Sequence, residues 1–355
     1  MDIRTKLENV IKGKIGDNTP GFSILAAKEG VPFFKAAYGC ADLETGDLIR
    51  CDDNFIIASN TKQMTCLAIL MLRERGLLDL DETIERFFPD FPDYRKRVTI
   101  RHLMCHTSGI KEYFDIKDES LTEKFKTART REMTRLIREF GDLDFAPDER
   151  FSYCNSGYVM LGEIIRQLSG KPFGEFVETE IFKPLKMTRS YAPDDDRCPD
   201  RYQVKGYRSE DGITFSNPPY DMFMVGYADG NVSSNTEDML KWKNYLHGKS
   251  DELLPYAARQ EMFKSHVLTD GTLTGYGLGL FLDERADSLS KHYPKHREIW
   301  HTGGTSGFIS RCSYFPDDGI AVNLLTNYEG LDQQEIFFAV LDEIFGQASG
   351  GEEEH

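Results

Sequence analysis

The sequence predicts an α/β protein in which one domain of sheet and helix is assembled from both ends of the chain, with a mostly helical region inserted between them. Three observations carry this. Strand-like runs stand near the start and again near the end, each accompanied by a helical pattern. Between about residues 80 and 190 the apolar spacing stays helical, broken only by Pro and Gly. At 355 residues the chain has the length of about two domains, or of one large composite domain. The α/β domain is placed at 1–58 and 240–347, the mostly helical region at 59–239, and a disordered tail at 348–355.

Residues 3–17 mix charge with apolar residues at helical spacing and predict a short helix. Phe22–Lys28, a turn at Glu29-Gly30 and Val31–Tyr38 predict a β-hairpin. Pro32 sits near a strand start, where a missing N–H is tolerable. Ser59–Arg75 is the clearest helix. Ser suits its N-terminus, Met64, Leu67, Ala68, Met71 and Leu72 crowd one side, and Gly76 supplies the stop. Another helix is expected from about Ser156 to Leu168, closed by Gly170 with Pro172 beyond. Toward the end, Leu273–Leu282, Ile309–Phe315 and Ile320–Leu325 predict strands, and Gln333–Phe345 an amphipathic helix.

Composition narrows the function classes. The chain is 40% hydrophobic and 29% charged, an ordinary globular mixture that excludes global disorder. Lys and Arg number 43 against 59 Asp and Glu, a net charge of −16. A nucleic-acid partner is not expected, since phosphate neutralisation needs a basic patch. The longest unbroken apolar run, Cys66–Leu72, is far short of the about 20 residues of a membrane span. No signal-peptide core follows Met1 in the sequence shown. Seven cysteines with no Cys-x-x-Cys read as free thiols, so a cytoplasmic location is expected.

Several motifs are absent or fail. There is no Gly-x-Ser-x-Gly elbow. Gly275-Tyr-Gly-Leu-Gly279 has the glycines of a phosphate loop but no helix after it. His102 with His106, and His292 with His296, are spaced one helical turn apart, yet no Glu stands as in His-Glu-x-x-His. No metal and no cofactor are expected.

The informative stretch is Ser59-Asn-Thr-Lys62. Positions i and i+3 share a helix face, so Lys62 points back toward the Ser59 hydroxyl at the positive end of the helix dipole. A serine hydroxyl needs a base to take its proton, and a partly desolvated lysine can be that base. Read alone, the pair is also consistent with a helix cap followed by a surface lysine. Two further stretches strengthen the catalytic reading. Tyr153-Cys-Asn155 opens a helix, offering a phenol for acid–base work and an amide to hold a substrate carbonyl. Trp300-His301-Thr302-Gly303-Gly304-Thr-Ser-Gly307 reads as an edge strand running into a glycine-rich turn, where a substrate can lie against the backbone.

In that order the three stretches resemble the serine β-lactamase and penicillin-binding-protein superfamily, most closely the branch of class C β-lactamases, D-Ala-D-Ala carboxypeptidases, D-aminopeptidases and related esterases. Arg101–Gly109, Gly76–Asp81 and Asp229–Met239 are also similar, and the resemblance spans about residues 5–347. It implies a β-lactamase-like fold, an antiparallel sheet flanked by helices, with the site in a cleft beside the helical region. It further implies Ser59 as acyl-forming nucleophile, with Lys62, Tyr153 and His301 as its catalytic partners. Asn155, Thr302 and Gly303 would line the substrate, and the backbone N–H groups of Ser59 and Gly304 would form the oxyanion hole, each worth about 3 kcal/mol of barrier.

Two departures bear on substrate. The third motif carries His301 where class C β-lactamases carry lysine. An imidazole titrating near its ordinary value of about 6.5 is mostly neutral at pH 7. The arginine that binds the substrate carboxylate in the carboxypeptidase branch is expected just past Tyr276-Gly-Leu-Gly-Leu280. Phe281 follows there instead, and strand alternation does not place the nearby Arg285. The expected function is therefore a metal-independent, esterase-like serine hydrolase acting on small ester or amide acyl substrates. The alternatives are a D-amino-acid-specific peptidase (D-aminopeptidase or DD-carboxypeptidase), a weak β-lactamase, and a non-catalytic ligand-binding protein using the same cleft. The sequence gives no oligomeric state.

Overall fold

The computed structural model describes residues 2–346 apart from 17, 116, 118–123, 125–127, 129, 194–203 and 219–227. Nine strands are described: β1 Phe22–Lys28, β2 Val31–Tyr38, β3 Cys40–Asp42, β4 Asp47–Leu48, β5 Phe55–Ile56, β6 Ser233–Ser234, β7 Ile299–Thr305, β8 Phe308–Phe315 and β9 Ile320–Thr326. The helices are α1 Ile3–Ile11, α2 Lys62–Glu74, α3 Ile100–Met104, α4 Thr130–Arg138, α5 Asn155–Ser169, α6 Phe173–Val177, α7 Thr236–Asn244, α8 Tyr256–Arg259 and α9 Gln333–Phe345. Short 3-10 and π turns join them.

The main sheet has the order β2-β1-β9-β8-β7 and is antiparallel throughout. Its two halves come from opposite ends of the chain, as the sequence predicts. Both faces are covered, which is why β9 is buried at every position and reads as one apolar run rather than an alternation. Ile24, Ala26, Val322 and Leu324 pack against Leu7 and Ile11 of α1 and against Phe337, Val340 and Leu341 of α9. On the opposite face Leu25, Ala27 and Ala321 meet Leu240 of α7.

The largest core surrounds α2, whose residues from Lys62 to Leu72 are all buried. Each fully buried Leu, Ile or Met there contributes about 1.5–3 kcal/mol. α5 crosses α2 and is likewise buried from Ser156 to Ile165. It ends at Gly170 with φ +75°, the left-handed stop expected of that glycine.

Three elements differ from expectation. The first helix ends at Ile11, and Gly13 beyond it has φ +76°. The helix expected from Ser59 begins as a 3-10 turn, Ala58–Thr61, and becomes α-helical at Lys62. The strand expected at Leu273–Leu282 is a looped segment. Gly275 and Gly279 have φ +66° and +75°, and Gly277 N–H donates to Leu280 O at 2.9 Å. The run thus folds back so that Tyr276 bridges Phe281. The tail expected at 348–355 lies outside the described residues.

Among the described residues no helix is long and apolar enough to cross a membrane, and no disulfide joins the described cysteines.

Candidate active site

The site forms where the N-terminus of α2, the N-terminus of α5 and the edge strand β7 converge. Ser59 sits in the 3-10 turn that leads into α2. Ala58 before it has φ +47°, a conformation that non-glycine residues seldom adopt and that stores strain at functional turns. The turn is anchored from beneath. Ser310 Oγ on β8 donates to Ile57 O at 2.8 Å and accepts from Asn60 Nδ2 at 2.9 Å. Gln63 Nε2 donates to Asn60 Oδ1 at 2.9 Å, and Trp242 Nε1 to Gln63 Oε1 at 3.0 Å.

Lys62 is the hub. Its buried Nζ donates to Ser59 Oγ at 3.0 Å, to Asn155 Oδ1 at 2.7 Å and to Asp229 O at 2.7 Å. Three N–H bonds thus meet three acceptors. Its Nζ lies 4.9 Å from the Tyr153 ring centre. The buried Tyr153 hydroxyl has no completed hydrogen bond among the described residues. Burial pushes its pKa up, while the Lys62 charge and the Ser59 hydroxyl pull it back. The Tyr153 ring is stacked on His106 at 4.2 Å.

The edge strand supplies backbone donors. Trp300 exchanges both its backbone hydrogen bonds with Phe281, at 2.9 and 3.0 Å, so its N–H points away from β8. The pairing of β7 with β8 continues without a register shift. A period of two then turns the N–H groups of Thr302 and Gly304 to the same outer edge. Gly303 lets β7 come close to the nucleophile turn, because a Cβ there would lie 2.2 Å from Ile57 O. Gly304 is exposed and a Cβ on it would meet nothing within 4 Å, so its N–H borders open space. Ser59 N–H, at the start of a helix, belongs to the donors that a helix leaves unmatched. Thr302 is partly exposed on the same edge.

His301 departs from expectation. Its side chain is not presented to the cleft: the residue is 1% exposed. Its Nδ1 meets Thr302 O at 2.5 Å and its Nε2 meets the Tyr276 hydroxyl at 3.1 Å. That hydroxyl also meets His106 Nε2 at 3.2 Å, and His106 Nδ1 accepts from Cys154 N–H at 2.9 Å. The backbone donor fixes the tautomers along the chain. His106 carries its proton on Nε2 and donates to Tyr276, Tyr276 donates to His301 Nε2, and His301 Nδ1–H donates to Thr302 O. Burial, reinforced by the Lys62 charge, pushes His301 down to about 3 and holds His106 well below the usual histidine range. His301 therefore stays neutral at pH 6 and does not titrate near 6.5. Both ring nitrogens are thus spent inside the protein, on Thr302 O and the Tyr276 hydroxyl.

Sequence reasoning gave no catalytic or substrate-binding role to His106, Tyr276, Asp229, Asn60, Gln63 or Glu112. Asn60 and Gln63 lie inside or beside the Ser-x-x-Lys stretch at helical spacing, a usable signal. The others are brought in by loops. His106 lies within the Arg101–Gly109 stretch whose resemblance was noted. It has φ +60° and also accepts from Ser152 N–H at 2.9 Å through its backbone oxygen, so it holds the segment carrying Tyr153. Of the histidine pair at 102 and 106, His102 turns to Asp148 at 3.0 Å, whereas His106 turns to Tyr276 and the Cys154 N–H. Among the described residues no group of three or more His, Cys, Asp or Glu is placed to hold a metal ion.

The cleft wall is aromatic. Phe281 stacks on Trp300 at 4.7 Å and lies 6.3 Å from Tyr153. Arg285, which the sequence could not place, has its guanidinium 5.1 Å from the Phe281 ring centre and 5.3 Å from that of Phe151. Its side chain is 30% exposed and pairs with Asp287 at 3.2 Å.

The profile of the family described as Beta-lactamase matches residues 7–342. The chain is 28% identical over 340 residues to penicillin-binding protein 4* of Bacillus subtilis (strain 168), covering 92% of this chain and 72% of that one. It is 26% identical to Protein flp of Staphylococcus aureus (strain MRSA252), covering 92% of this chain and 63% of that one. Both relatives are longer than this chain, which spans less than two thirds of Protein flp. Among solved structures it resembles the octameric penicillin-binding protein homologue from Pyrococcus abyssi, with a TM-score of 0.81 and 26% identity over 98% of this chain and 78% of that one. The fold is shared with the D-amino acid amidase from Ochrobactrum anthropi SV3, with a TM-score of 0.77 and 24% identity over 97% of this chain and 99% of that one.

Proposed function

The chain belongs to the beta-lactamase family of serine hydrolases, and from that premise we propose that it hydrolyses small esters or amides through an acyl-enzyme on Ser59. The observation that carries this is Lys62 Nζ joining Ser59 Oγ, Asn155 Oδ1 and Asp229 O, with the unpartnered Tyr153 hydroxyl beside it. Ser59 Oγ attacks the substrate carbonyl. Lys62 acts here as the free amine: two N–H bonds stay on Asn155 Oδ1 and Asp229 O, and its lone pair takes the Ser59 proton in place of the third. The Tyr153 phenol gives its own proton to the leaving oxygen or nitrogen and is reprotonated from Lys62. The carbonyl oxygen becomes an oxyanion held by the N–H groups of Ser59 and Gly304. Water then releases the acyl group by the same path in reverse. A non-catalytic binder has no use for two proton-transfer groups converging on one hydroxyl.

The neutral, internal His301 gives the third motif no cation for a substrate carboxylate, which favours uncharged esters over anionic β-lactams. Arg285 supports a second reading of the same chemistry. Its guanidinium over the Phe151 and Phe281 rings of the aromatic rim suits a D-amino-acid or peptide substrate ending in a carboxylate. A screen of chromogenic short-chain esters, D-amino-acid anilides and a cephalosporin tests both. Esters are expected to be turned over fastest. Peptide substrates that lose affinity in Arg285→Gln would establish the second reading, and a wild type that prefers cephalosporins to short esters would overturn both.

A further inference from the structure

Helix α5 opens on a residue that does not cap it. Cys154 holds the N-cap position in an extended conformation without a side-chain capping bond, and its thiol turns to Ile110 O at 3.2 Å. This place is usually filled by Ser, Thr, Asp or Asn, whose oxygen takes an orphan N–H of the first turn. Here the acceptor comes from a different loop. Glu112 Oε2 accepts from the Asn155 backbone N–H, and Glu112 Oε1 accepts from Phe114 N–H at 3.2 Å. Asn155 is also the residue whose side-chain oxygen receives Lys62 Nζ. A carboxylate here meets the favourable end of a 15-residue helix dipole as well.

We propose that Glu112 is a positioning residue for acylation of Ser59, a reading that rests on the function proposed above. Its carboxylate holds two backbone N–H groups, fixes the first turn of α5, and so fixes the amide that orients Lys62. Both oxygens face donors, so a proton on either one turns an acceptor into a second donor aimed at an N–H. The carboxylate is therefore the working form.

The charged groups around it are accounted for. Lys62 on α2 favours the carboxylate and Asp229 opposes it. Tyr113, next in the loop, commits its hydroxyl to Asp229 Oδ2 at 3.0 Å, and Lys111 turns its ammonium to Phe140 O at 2.9 Å. From α5 the Cys154 thiol faces the loop and is pushed far up by burial, so it stays neutral. Removal from water outweighs the two N–H bonds and lifts the Glu112 carboxyl to about 7. The clamp is lost as pH falls through neutrality.

Glu112→Gln and Glu112→Asp distinguish this from a merely structural role. Glutamine keeps the shape but offers one acceptor for two N–H groups and does not titrate. We expect wild-type kcat to fall on the acid side with a midpoint near 7, and that limb to vanish or move in Glu112→Gln. In that variant kcat should drop by about 10-fold, the scale of one hydrogen bond to a charged network, with KM nearly unchanged, and Glu112→Asp should recover part of it. Thermal melting and fluorophosphonate labelling of Ser59 are run on the same samples. Folded variants that label and turn over at the wild-type rate with the wild-type acid limb would overturn the proposal alone. A wild type in which Ser59 never labels would overturn the functional reading beneath it.

Discussion

At the scale of single residues, the proposed function divides the site into groups that would act on the Ser59 hydroxyl and groups that hold them. Lys62 and Tyr153 belong to the first set. Replacing either (Lys62→Ala, Tyr153→Phe) is expected to reduce turnover by at least ~100-fold, because positioned acid–base groups contribute on that scale. Tyr153→Phe should barely move the melting temperature, whereas Lys62→Ala strips three acceptors of their donor and should lower it. The double variant should be no worse than the poorer single one, since both serve one proton path. Steady-state kinetics on an ester and a melting curve check this, and near-wild-type turnover in either single variant would remove that residue from the mechanism. His301 belongs to the second set. The sequence could show its place in the third motif but not its surroundings. Its neutrality follows from burial, reinforced by the charge of Lys62 on a helix far away in the chain, and its second ring partner, Tyr276, arrives from a loop. The same holds for Glu112, whose partner Asn155 lies on another element. By contrast, the Ser59–Lys62 contact at 3.0 Å was legible, because helical periodicity alone brings i and i+3 together.

At the scale of elements, the strands β1, β2, β8 and β9 and the helices α5 and α9 lie within a residue or two of their expected bounds, since apolar patterning and turn residues mark them. The segment 273–282 differs from the expected strand because its apolar residues alternate like a strand's while its glycines serve the backbone. Gly279 faces Lys62 O, where a Cβ would lie 2.7 Å away, and Gly277 faces Met262 O at 2.0 Å. Such approaches leave no periodic trace. They make a paired prediction at β7. Gly303→Ala must push the strand off the Ile57–Ala58 turn and withdraw the Gly304 N–H from Ser59. Overpacking of this kind costs about 1–3 kcal/mol, and loss of an oxyanion donor about 100-fold in kcat. Gly304→Ala meets open space and should leave the melting temperature unchanged. Melting curves for the two variants side by side check this, and a Gly303→Ala protein that is as stable and as active as wild type would refute the close approach.

At the scale of the whole molecule, the buried network couples stability to pH. His106 and His301 are neutral in the fold, with pKa values lowered from the ordinary 6.5. Between that value and their folded values the unfolded chain binds two more protons than the native one, so stability falls as pH drops below about 6.5, by about 1.4 kcal/mol per pH unit for each proton. Glu112 has the opposite sign. Its pKa is raised from 4.5 to about 7, so the native state holds an extra proton in that window and loses stability as pH rises through it. The two histidines outweigh the one carboxyl, and among these three groups the net effect is destabilisation on acidification. Denaturant melts at about pH 7.5 and about pH 5.5 should show this loss, with a shallower slope in His301→Gln; a slope unchanged in that variant would contradict the neutral, buried ring. On the proposed function the whole arrangement, from the packed α2 to the edge of β7, serves one hydroxyl, that of Ser59, with Lys62 and Tyr153 on one side and two backbone donors on the other. Its most direct test is the intact mass of wild type and Ser59→Ala after treatment with a fluorophosphonate, followed by peptide mapping. A single adduct on Ser59 in wild type and none in Ser59→Ala is the expected result; an adduct that persists in Ser59→Ala, or a wild type that is never modified while it hydrolyses substrate, would contradict it.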